Sequence, residues 1–203
     1  MSEIVVQEFV TLDGVIQGPG MFEEDRDGGF ALGGWQSRHR DDDPELDAII
    51  QDWESRTGAL LLGRRTYDIW LGAWAVWSED AEGFLGEQTR RYNRIPKYVA
   101  STTLTDPTWR NTRVLRDVPG EVARLRAEHR DGEIRVWGSS RLVAILAAHD
   151  LVDEYRLAVY PIVLGTGKRL FADGFPLSRF ERGEVRPLGS GVTVTTYRRS
   201  TAG

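Results

Sequence analysis

The chain has 203 residues, of which 40% are hydrophobic and 28% are charged, and its formal net charge is −5 at pH 7. This composition is typical of a globular protein with a sizeable core. The acidic balance disfavours nucleic acid and anionic membranes as partners, because both attract basic surfaces. The chain contains no cysteine, which excludes disulfides, thiolate metal sites and cysteine nucleophiles. Since no signal-peptide pattern and no apolar run near the ~20 residues of a membrane span is present, we expect one cytoplasmic domain over residues 1–203.

The first predicted element is a strand over residues 4–10, where apolar and β-branched residues dominate. Asp13 and Gly14 then favour a turn. Residues 17–43 are rich in glycine and acidic residues, and a loop of this length is uncommon in a compact domain unless it has a function. Composition does not separate two interpretations of this stretch: a lid over a binding site, or a disordered surface insertion.

Apolar residues at helical spacing predict a helix over residues 44–56, with Pro44 in its first turn. A short apolar run follows at residues 59–63, bounded by glycines, and is typical of a strand buried on both faces. A further helix is expected to start at Thr66 and reach Trp70, at the beginning of a tryptophan-rich stretch.

The second half predicts strands over residues 97–100, 113–115, 133–137 and 154–163, and helices over 121–129 and from Ser140 through His149. Residues 192–198 alternate valine and threonine, which predicts an antiparallel edge or hairpin strand. Strands that alternate with helices predict a parallel sheet covered on both faces. We therefore expect a three-layer α/β fold whose central sheet is mixed, mostly parallel, and carries an antiparallel C-terminal hairpin.

Two strand-to-helix junctions are candidate phosphate sites. In Gly63-Arg64-Arg65-Thr66, a glycine ends a buried strand and arginines enter a helix, whose free N–H groups attract phosphate. In Gly138-Ser139-Ser140, glycine permits close approach to the backbone and small hydroxyl residues open a helix. Ligands of open α/β sheets bind at this edge, and two such junctions fit a dinucleotide. Each junction alone is equally consistent with an ordinary strand end or helix cap.

Four pieces of the chain, in order, resemble the dihydrofolate reductase family and especially its relative, the reductase domain of riboflavin biosynthesis. The pieces are residues 11–18 (TLDGVIQG), 63–67 (GRRTY), 137–140 (WGSS), and 153–171, which contains DEYRL and PIVLGTGKRLF. The resemblance extends from residue 4 to about residue 197. It implies a dihydrofolate-reductase-like fold and NADPH as the cofactor.

The resemblance also implies roles for individual residues. The predicted cofactor contacts are Leu12 and Ile16 beside the nicotinamide, Gly63, Arg64, Arg65 and Thr66 at phosphates, Ser101 and Thr102 at the adenosine ribose phosphate, and Gly138, Ser139 and Ser140 at the pyrophosphate. A phosphate on the ribose, together with nearby arginines, favours NADPH over NADH. One position departs from the family, which often has two adjacent glycines where this chain has Gly138-Ser139.

The proton donor is the least defined part of the predicted site. The family places a carboxylate on the helix before the Gly-Arg-x-Thr strand, and Asp47 stands sixteen residues before Gly63. Asp47 lies in an acidic stretch with Asp41 and Asp42, so a solvated residue at a helix start is the alternative. Asp13 is the second candidate, and its alternative role is to form the Asp-Gly turn.

Trp35 and Tyr155 are the predicted substrate contacts. A phosphorylated substrate needs a second basic pocket, for which Arg156, Lys168 and Arg169 are the candidates. The three histidines are far apart in sequence and do not have the spacing of metal ligands, so no metal is expected.

The sequence thus predicts an NADPH-dependent reductase of a small heterocycle, pterin-like or ribosylaminopyrimidine-like. Two alternatives remain: the riboflavin-pathway reductase itself, which acts on a phosphoribosylaminouracil, and a non-catalytic binding or interaction module on the same fold. The C-terminal strand and the loop over residues 161–171 are a possible homodimer contact, and a capped edge strand is the other interpretation.

Overall fold

The structure, a computed structural model, describes residues 1–39 and 43–200. Its strands are β1 (Ile4–Thr11), β2 (Thr57–Gly63), β3 (Lys97–Ala100), β4 (Thr112–Leu115), β5 (Glu133–Trp137), β6 (Glu154–Tyr160), β7 (Phe180–Pro187) and β8 (Thr193–Arg199). Its helices are α1 (Trp35–His39), α2 (Pro44–Ser55), α3 (Arg64–Leu71), α4 (Gly83–Arg94), α5 (Val118–Glu128) and α6 (Ser140–Ala148).

All eight strands belong to one sheet, in the order β4-β3-β2-β5-β1-β6-β8-β7. The pairs from β4 to β6 are parallel, whereas β8 runs antiparallel to both β6 and β7. The predicted mixed sheet with an antiparallel C-terminal hairpin is therefore confirmed. Because the parallel strands end at one edge, the turns after β1, β2, β3, β4 and β5 meet there.

Helices cover both faces of the sheet, as the continuous apolar run of β2 predicts. Every residue of β2 is buried. Leu61 packs on the side of α5 and α6, among Val122, Leu142 and Val143. Leu60 and Leu62 point to the other face and pack among residues of α3 and α4.

Helix α4 and strand β7 are absent from the sequence-based prediction, and both lack its main signal. Helix α4 buries mostly polar or small residues, which are Gly86, Gln88, Thr89 and Asn93 beside Tyr92, so no apolar periodicity marks it. Strand β7 is exposed along nearly all its length and forms the sheet edge in place of β8. Strand β6 ends at Tyr160, earlier than predicted, because Pro161 has no N–H for the ladder.

Residues 17–39 pack against the body of the protein. They contain a short 3-10 helix (Asp27–Gly29) and α1. The indole N–H of Trp35 donates to the Gln17 carbonyl at 2.8 Å, and only 1% of Trp35 is exposed. A disordered insertion is therefore the wrong interpretation for these residues. Asp41 and Asp42, which belong to the predicted acidic stretch, lie outside the described residues.

Among the helices of residues 1–39 and 43–200, none is both long enough and apolar enough to cross a bilayer.

Candidate functional site

A cavity of about 1080 Å³ opens at the edge where the parallel strands end. Turns after β2, β3, β4 and β5 line one part of it, and α2, the tryptophan-rich stretch and residues 16–27 line the rest. This volume exceeds the range usual for a single drug-sized ligand. The cavity is therefore large enough to hold a dinucleotide and a second small molecule.

Helices α3 and α6 begin at the cavity wall without side-chain caps. Neither helix has a capping hydrogen bond or an acidic residue in its first turn, whereas Asp43 caps α2 and Asp117 caps α5. The first turns of α3 and α6 carry Arg64, Arg65 and Arg141 instead. Cations at the positive end of a helix dipole are unfavourable alone. An anion bound between the two helices would accept hydrogen bonds from the free N–H groups and would neutralise the charge of the arginines.

Ser139 connects the two junctions. Its Oγ accepts the Gly63 N–H at 2.9 Å and lies 2.6 Å from Thr66 Oγ1. Gly138 and Ser139 both adopt left-handed backbone conformations, with φ of 60° and 64°, and the peptide between them is trans. A Cβ at Gly138 would stand 2.7 Å from Thr66 Oγ1. Serine at this departure from the family pattern thus fixes the turn after β5 against the start of α3.

Arg116 adds a cation that the sequence analysis missed. It follows β4, is exposed, and lines the cavity together with Ser101 and Thr102. Its guanidinium donates to the carbonyls of Ser101 and Leu104, which holds it in place. Within the described part of the chain it forms no ion pair, so its charge is available to a ligand. The short loop after β3 and this arginine form one polar corner of the cavity.

Aromatic rings form the opposite wall. Trp70 stacks on Tyr92 at 5.0 Å and lies 6.1 Å from Trp137, and Trp74 contacts Tyr92 at 4.9 Å and Trp77 at 4.7 Å. The tryptophan-rich stretch is therefore partly a ligand-facing surface, since Trp70, Trp74 and Trp77 line the cavity together with Trp137. Such a wall suits a planar ring.

Glu54 supports this wall. It is 1% exposed, and its carboxylate accepts hydrogen bonds from Gln7 at 3.2 Å, Thr57 at 3.2 Å, Gln88 at 2.8 Å and the Trp137 indole at 3.0 Å. Two donors approach each oxygen. Glu54 therefore fixes the orientation of Trp137 and of α4, and has little capacity left for a ligand.

Glu8 is a second buried carboxyl at the cavity wall. Burial raises the pKa of Glu8 well above its ordinary value of 4.5; the Gly138 backbone amide opposes this by hydrogen bonding, and the charge of Glu24 adds to it. Burial also raises the pKa of Glu24, against hydrogen bonds from the Met21 and Gly20 amides. The cavity thus contains two carboxyl groups whose pKa is raised above the ordinary value of a glutamate.

Asp25 holds the glycine-rich segment down over α3. Its Oδ1 accepts from Arg65 Nε at 3.2 Å, and its Oδ2 pairs with Lys168 at 2.8 Å. Lys168 also pairs with Asp27 at 2.8 Å. The segment therefore covers the start of α3 in this structure, and two of the cavity's cations are already engaged with its aspartates.

The two predicted proton donors lie in different surroundings. Asp47 lines the cavity from α2, where it is exposed to solvent. Asp13 lies outside the cavity lining and accepts from Thr11, Leu164 and Gly165. The hydrogen bond from Thr11, followed by those of the Gly165 and Leu164 amides, lowers the pKa of Asp13. Asp13 therefore anchors the loop after β6, and its position gives no support to a role as an acid.

The structure brings most predicted cofactor contacts together. Those that line the cavity are Ile16, Gly63, Arg64, Arg65, Thr66, Ser101, Thr102, Gly138, Ser139 and Ser140. Leu12 does not, because its side chain projects into solvent and is 63% exposed. Trp35 packs beneath the glycine-rich segment, edge-on to Tyr160. Tyr155 is in the core against Phe171 and Phe180, so the position of neither aromatic residue supports substrate contact.

The three candidate residues for a second basic pocket do not come together at the cavity. Arg156 is fully buried and paired with Glu133 and Glu154. Arg169 donates to the Asp13 carbonyl, away from the cavity lining. Of the three candidates only Lys168 reaches the cavity, and two aspartates neutralise it. In the described ranges no cluster of His, Asp and Glu side chains has the arrangement of a metal site.

Known proteins resemble the chain along nearly its whole length. A curated relative, the uncharacterized protein YyaP of Bacillus subtilis, is 28% identical over 155 residues, which are 76% of this chain and 80% of that one. A putative riboflavin biosynthesis protein from Shewanella sp. PV-4 superposes with a TM-score of 0.67 at 22% identity, covering 98% and 99% of the two chains.

Dihydrofolate reductase from Enterococcus faecalis, solved in complex with NADP(H), superposes with a TM-score of 0.58 at 13% identity and covers 98% of this chain and 96% of its own. The predicted dihydrofolate-reductase-like fold is therefore confirmed. The family model of the RibD C-terminal domain matches residues 2–194. The chain belongs to the RibD C-terminal domain family.

Proposed function

We propose that this protein is an NADPH-dependent reductase of a planar heterocycle that carries no phosphate. The observation that carries the proposal is the pair of uncapped helix starts, α3 and α6, which Ser139 joins at one cavity wall. Membership of the RibD C-terminal domain family independently suggests a reductase.

The residues of the cavity fit a dinucleotide. The N–H groups at the start of α3 and α6, with Arg64 and Arg141, suit the pyrophosphate. The polar corner of Ser101, Thr102 and Arg116 suits a phosphate on the adenosine ribose. Bound NADPH supplies a hydride, and the protein positions the substrate, excludes water and provides a proton.

The aromatic wall favours a substrate without phosphate over the phosphoribosyl substrate of the riboflavin pathway. The Trp137 indole donates to Glu54, Gln88 donates to the same carboxylate, and Glu8 lines the same cavity. None of these three side chains is a cation that would bind a phosphate, whereas a carboxyl or amide oxygen can accept the N–H groups that pterins and aminopyrimidines present at their ring edge. The one cation from the predicted basic pocket that reaches the cavity, Lys168, is neutralised.

Titration with NADPH tests the proposal. Because several tryptophans line the cavity, binding is expected to quench their fluorescence, and NADPH should then be oxidised by one member of a panel of oxidised pterins and dephosphorylated aminopyrimidines. No binding at several hundred micromolar NADPH would reject the reductase. Binding without oxidation by any member of the panel would favour the non-catalytic module, and turnover restricted to phosphorylated substrates would favour the riboflavin pathway.

Arg116→Ala is expected to weaken NADPH binding about tenfold or more and to leave NADH binding nearly unchanged. A hydrogen bond to a charged group contributes about 1.5–3 kcal/mol, and only NADPH has the second phosphate. The measurement is the dissociation constant of each cofactor. Arg113→Ala is the matched control, because Arg113 lies on β4, three residues before Arg116, outside the cavity, and pairs with Glu121. Equal losses for both cofactors would contradict the assignment.

A further inference from the structure

Glu8 interrupts an otherwise apolar strand face. Side chains alternate along β1, so Val6, Glu8 and Val10 point to the same side of the sheet, and both valines belong to the core beneath α5 and α6. Leu157 of β6 stands opposite Glu8 in the parallel register. Glu8 is 4% exposed and nevertheless lines the cavity. Burial of a carboxyl group in this position destabilises the fold unless the group has a hydrogen-bond partner, so its presence indicates a partner or a functional role.

The carboxyl of Glu8 is incompletely partnered. Its Oε1 is buried and has no hydrogen-bond partner in the described part of the chain, and no ion pair with Glu8 occurs there. The Gly138 backbone amide donates to the group, and the charged side chain that acts on it is Glu24. Glu54, by contrast, has two donors on each oxygen. This oxygen of Glu8 is therefore left for a ligand.

The position of Gly138 relates Glu8 to the proposed cofactor site. Gly138 belongs to the turn that joins β5 to α6, where the cofactor phosphates are proposed to bind, and β5 is the direct neighbour of β1. An ionised carboxylate next to these phosphates would repel them, whereas a neutral carboxylic acid would not. Glu8 therefore suits this place only as the protonated form.

We propose that Glu8 is the acid of this cavity and gives its proton to the ring nitrogen of the substrate's reducible C=N bond while the hydride of NADPH reaches the carbon. This inference rests on the proposed function. The C=N bond is reduced to CH–NH, NADPH is oxidised to NADP⁺, and Glu8 becomes a carboxylate that takes up a proton from water. The reaction thus balances with NADPH as the only reductant.

The surroundings of Glu8 favour its protonated form. Burial is the main cause of its raised pKa. Among the described residues no cation pairs with Glu8 to lower the pKa again. Leu157 faces it from β6, the turn after β5 contributes the Gly138 amide, and the glycine-rich segment contributes the carboxyl group of Glu24. Arg141 of α6 lines the same cavity without pairing with Glu8. The rate is therefore expected to fall as pH rises through the pKa of Glu8.

Carbon-13 NMR of the side-chain carboxyl groups of glutamate-labelled protein tests the protonation state without any ligand. At pH 7 the intact protein should show one protonated carboxyl that is missing in Glu8→Gln and still present in Glu24→Gln. Glutamine is neutral and of the same size, so Glu8→Gln is expected to fold. An ionised Glu8 at pH 7 would overturn the donor role and leave the reductase proposal standing.

Kinetics with the pterin and aminopyrimidine panel test the donor role itself. Glu8→Gln should bind NADPH within about threefold of the intact protein, while kcat falls by about 100-fold or more, as expected for loss of a general acid. Glu8→Asp should recover part of kcat and displace the alkaline limb of the pH profile. Glu3→Gln, on a partly exposed residue just before the same strand, is the control. An unchanged kcat and pH profile in Glu8→Gln would overturn the donor role, whereas absence of turnover in the intact protein would overturn the proposed function.

Discussion

Gly63→Ala is expected to weaken NADPH binding by about tenfold or more and to lower the thermal stability of the protein. A Cβ at Gly63 would lie 2.4 Å from Ser139 Oγ and 2.7 Å from Ser139 Cβ. Since both atoms belong to a short, constrained turn, the serine must move, and its hydrogen bonds to Gly63 and Thr66 are lost. Overpacking of this kind costs about 1–3 kcal/mol. Fluorescence titration with NADPH and thermal unfolding measure the two effects.

A second substitution separates this steric mechanism from a general effect of alanine. In the double variant Gly63→Ala, Ser139→Gly the clashing side chain is gone, and the next atom, the Cα of residue 139, is at an ordinary distance of 3.8 Å. The double variant should therefore bind NADPH better than Gly63→Ala alone. Gly189→Ala is the matched control, because a Cβ there meets nothing within 4 Å. If the loss of NADPH affinity in the double variant equals the sum of the losses of the two single variants, the proposed contact between residues 63 and 139 is contradicted.

The sequence predicted the parts of the cavity that depend on chain order. Gly63 ends one buried parallel strand and Gly138 follows another, and strand ends of a parallel sheet meet at one edge, so the meeting of the two candidate phosphate junctions was predictable from local pattern and topology rules. Their connection through Ser139 was not. It depends on a hydrogen bond between residues 76 positions apart in the chain and on a left-handed serine, which no local pattern indicates.

The residues that the sequence analysis missed have weak local signals. Arg116 is one arginine in an exposed turn, and only the packing of β3 beside β4 brings it to Ser101. Glu8 did have a signal, since a carboxyl between Val6 and Val10 interrupts a buried strand face, but the strand pattern was interpreted as apolar throughout. For Tyr155 and Trp35 the prediction and the structure differ. Both aromatic rings were expected to contact the substrate, and in the structure both are buried and pack against other aromatic rings.

The opposite end of the sheet from the cavity contains a buried ion network, in which Glu133 is the central group. Its carboxylate accepts two hydrogen bonds from Arg156, at 2.8 and 2.9 Å, and one from Arg135. Both arginines are fully buried. Beyond Glu133, Arg135 has the Trp53 carbonyl as a partner, and its Nε and Nη1 are unpaired within the described residues. Removal of Glu133 would leave two buried cations undercompensated.

Glu133→Gln is expected to destabilise the folded state by about 3–5 kcal/mol at neutral pH, the usual cost of breaking a buried ion pair from one side. Chemical denaturation measures the free energy of unfolding. Glu184→Gln is the matched control, because Glu184 and Arg186 have the same two-residue spacing on a strand but are exposed, and no measurable change is expected. A loss for Glu133→Gln no larger than that of the control would contradict a central role for Glu133.

The stability difference between the intact protein and Glu133→Gln depends on pH through the charge of Glu133. Burial acts to raise its pKa, but the hydrogen bonds from Arg156 and the charges of Arg135, Arg156 and Arg56 outweigh burial and hold the pKa below its ordinary value of 4.5. A carboxyl with a lowered pKa in the folded state stabilises the protein fully above its unfolded pKa and loses this contribution as pH falls through the folded value. The difference in free energy of unfolding between the intact protein and Glu133→Gln should therefore be constant from neutral pH down to about pH 5 and decrease below about pH 4.5. If this difference in free energy does not decrease in acid, the carboxamide disturbs packing, and the charge of Glu133 is not what stabilises the two buried arginines.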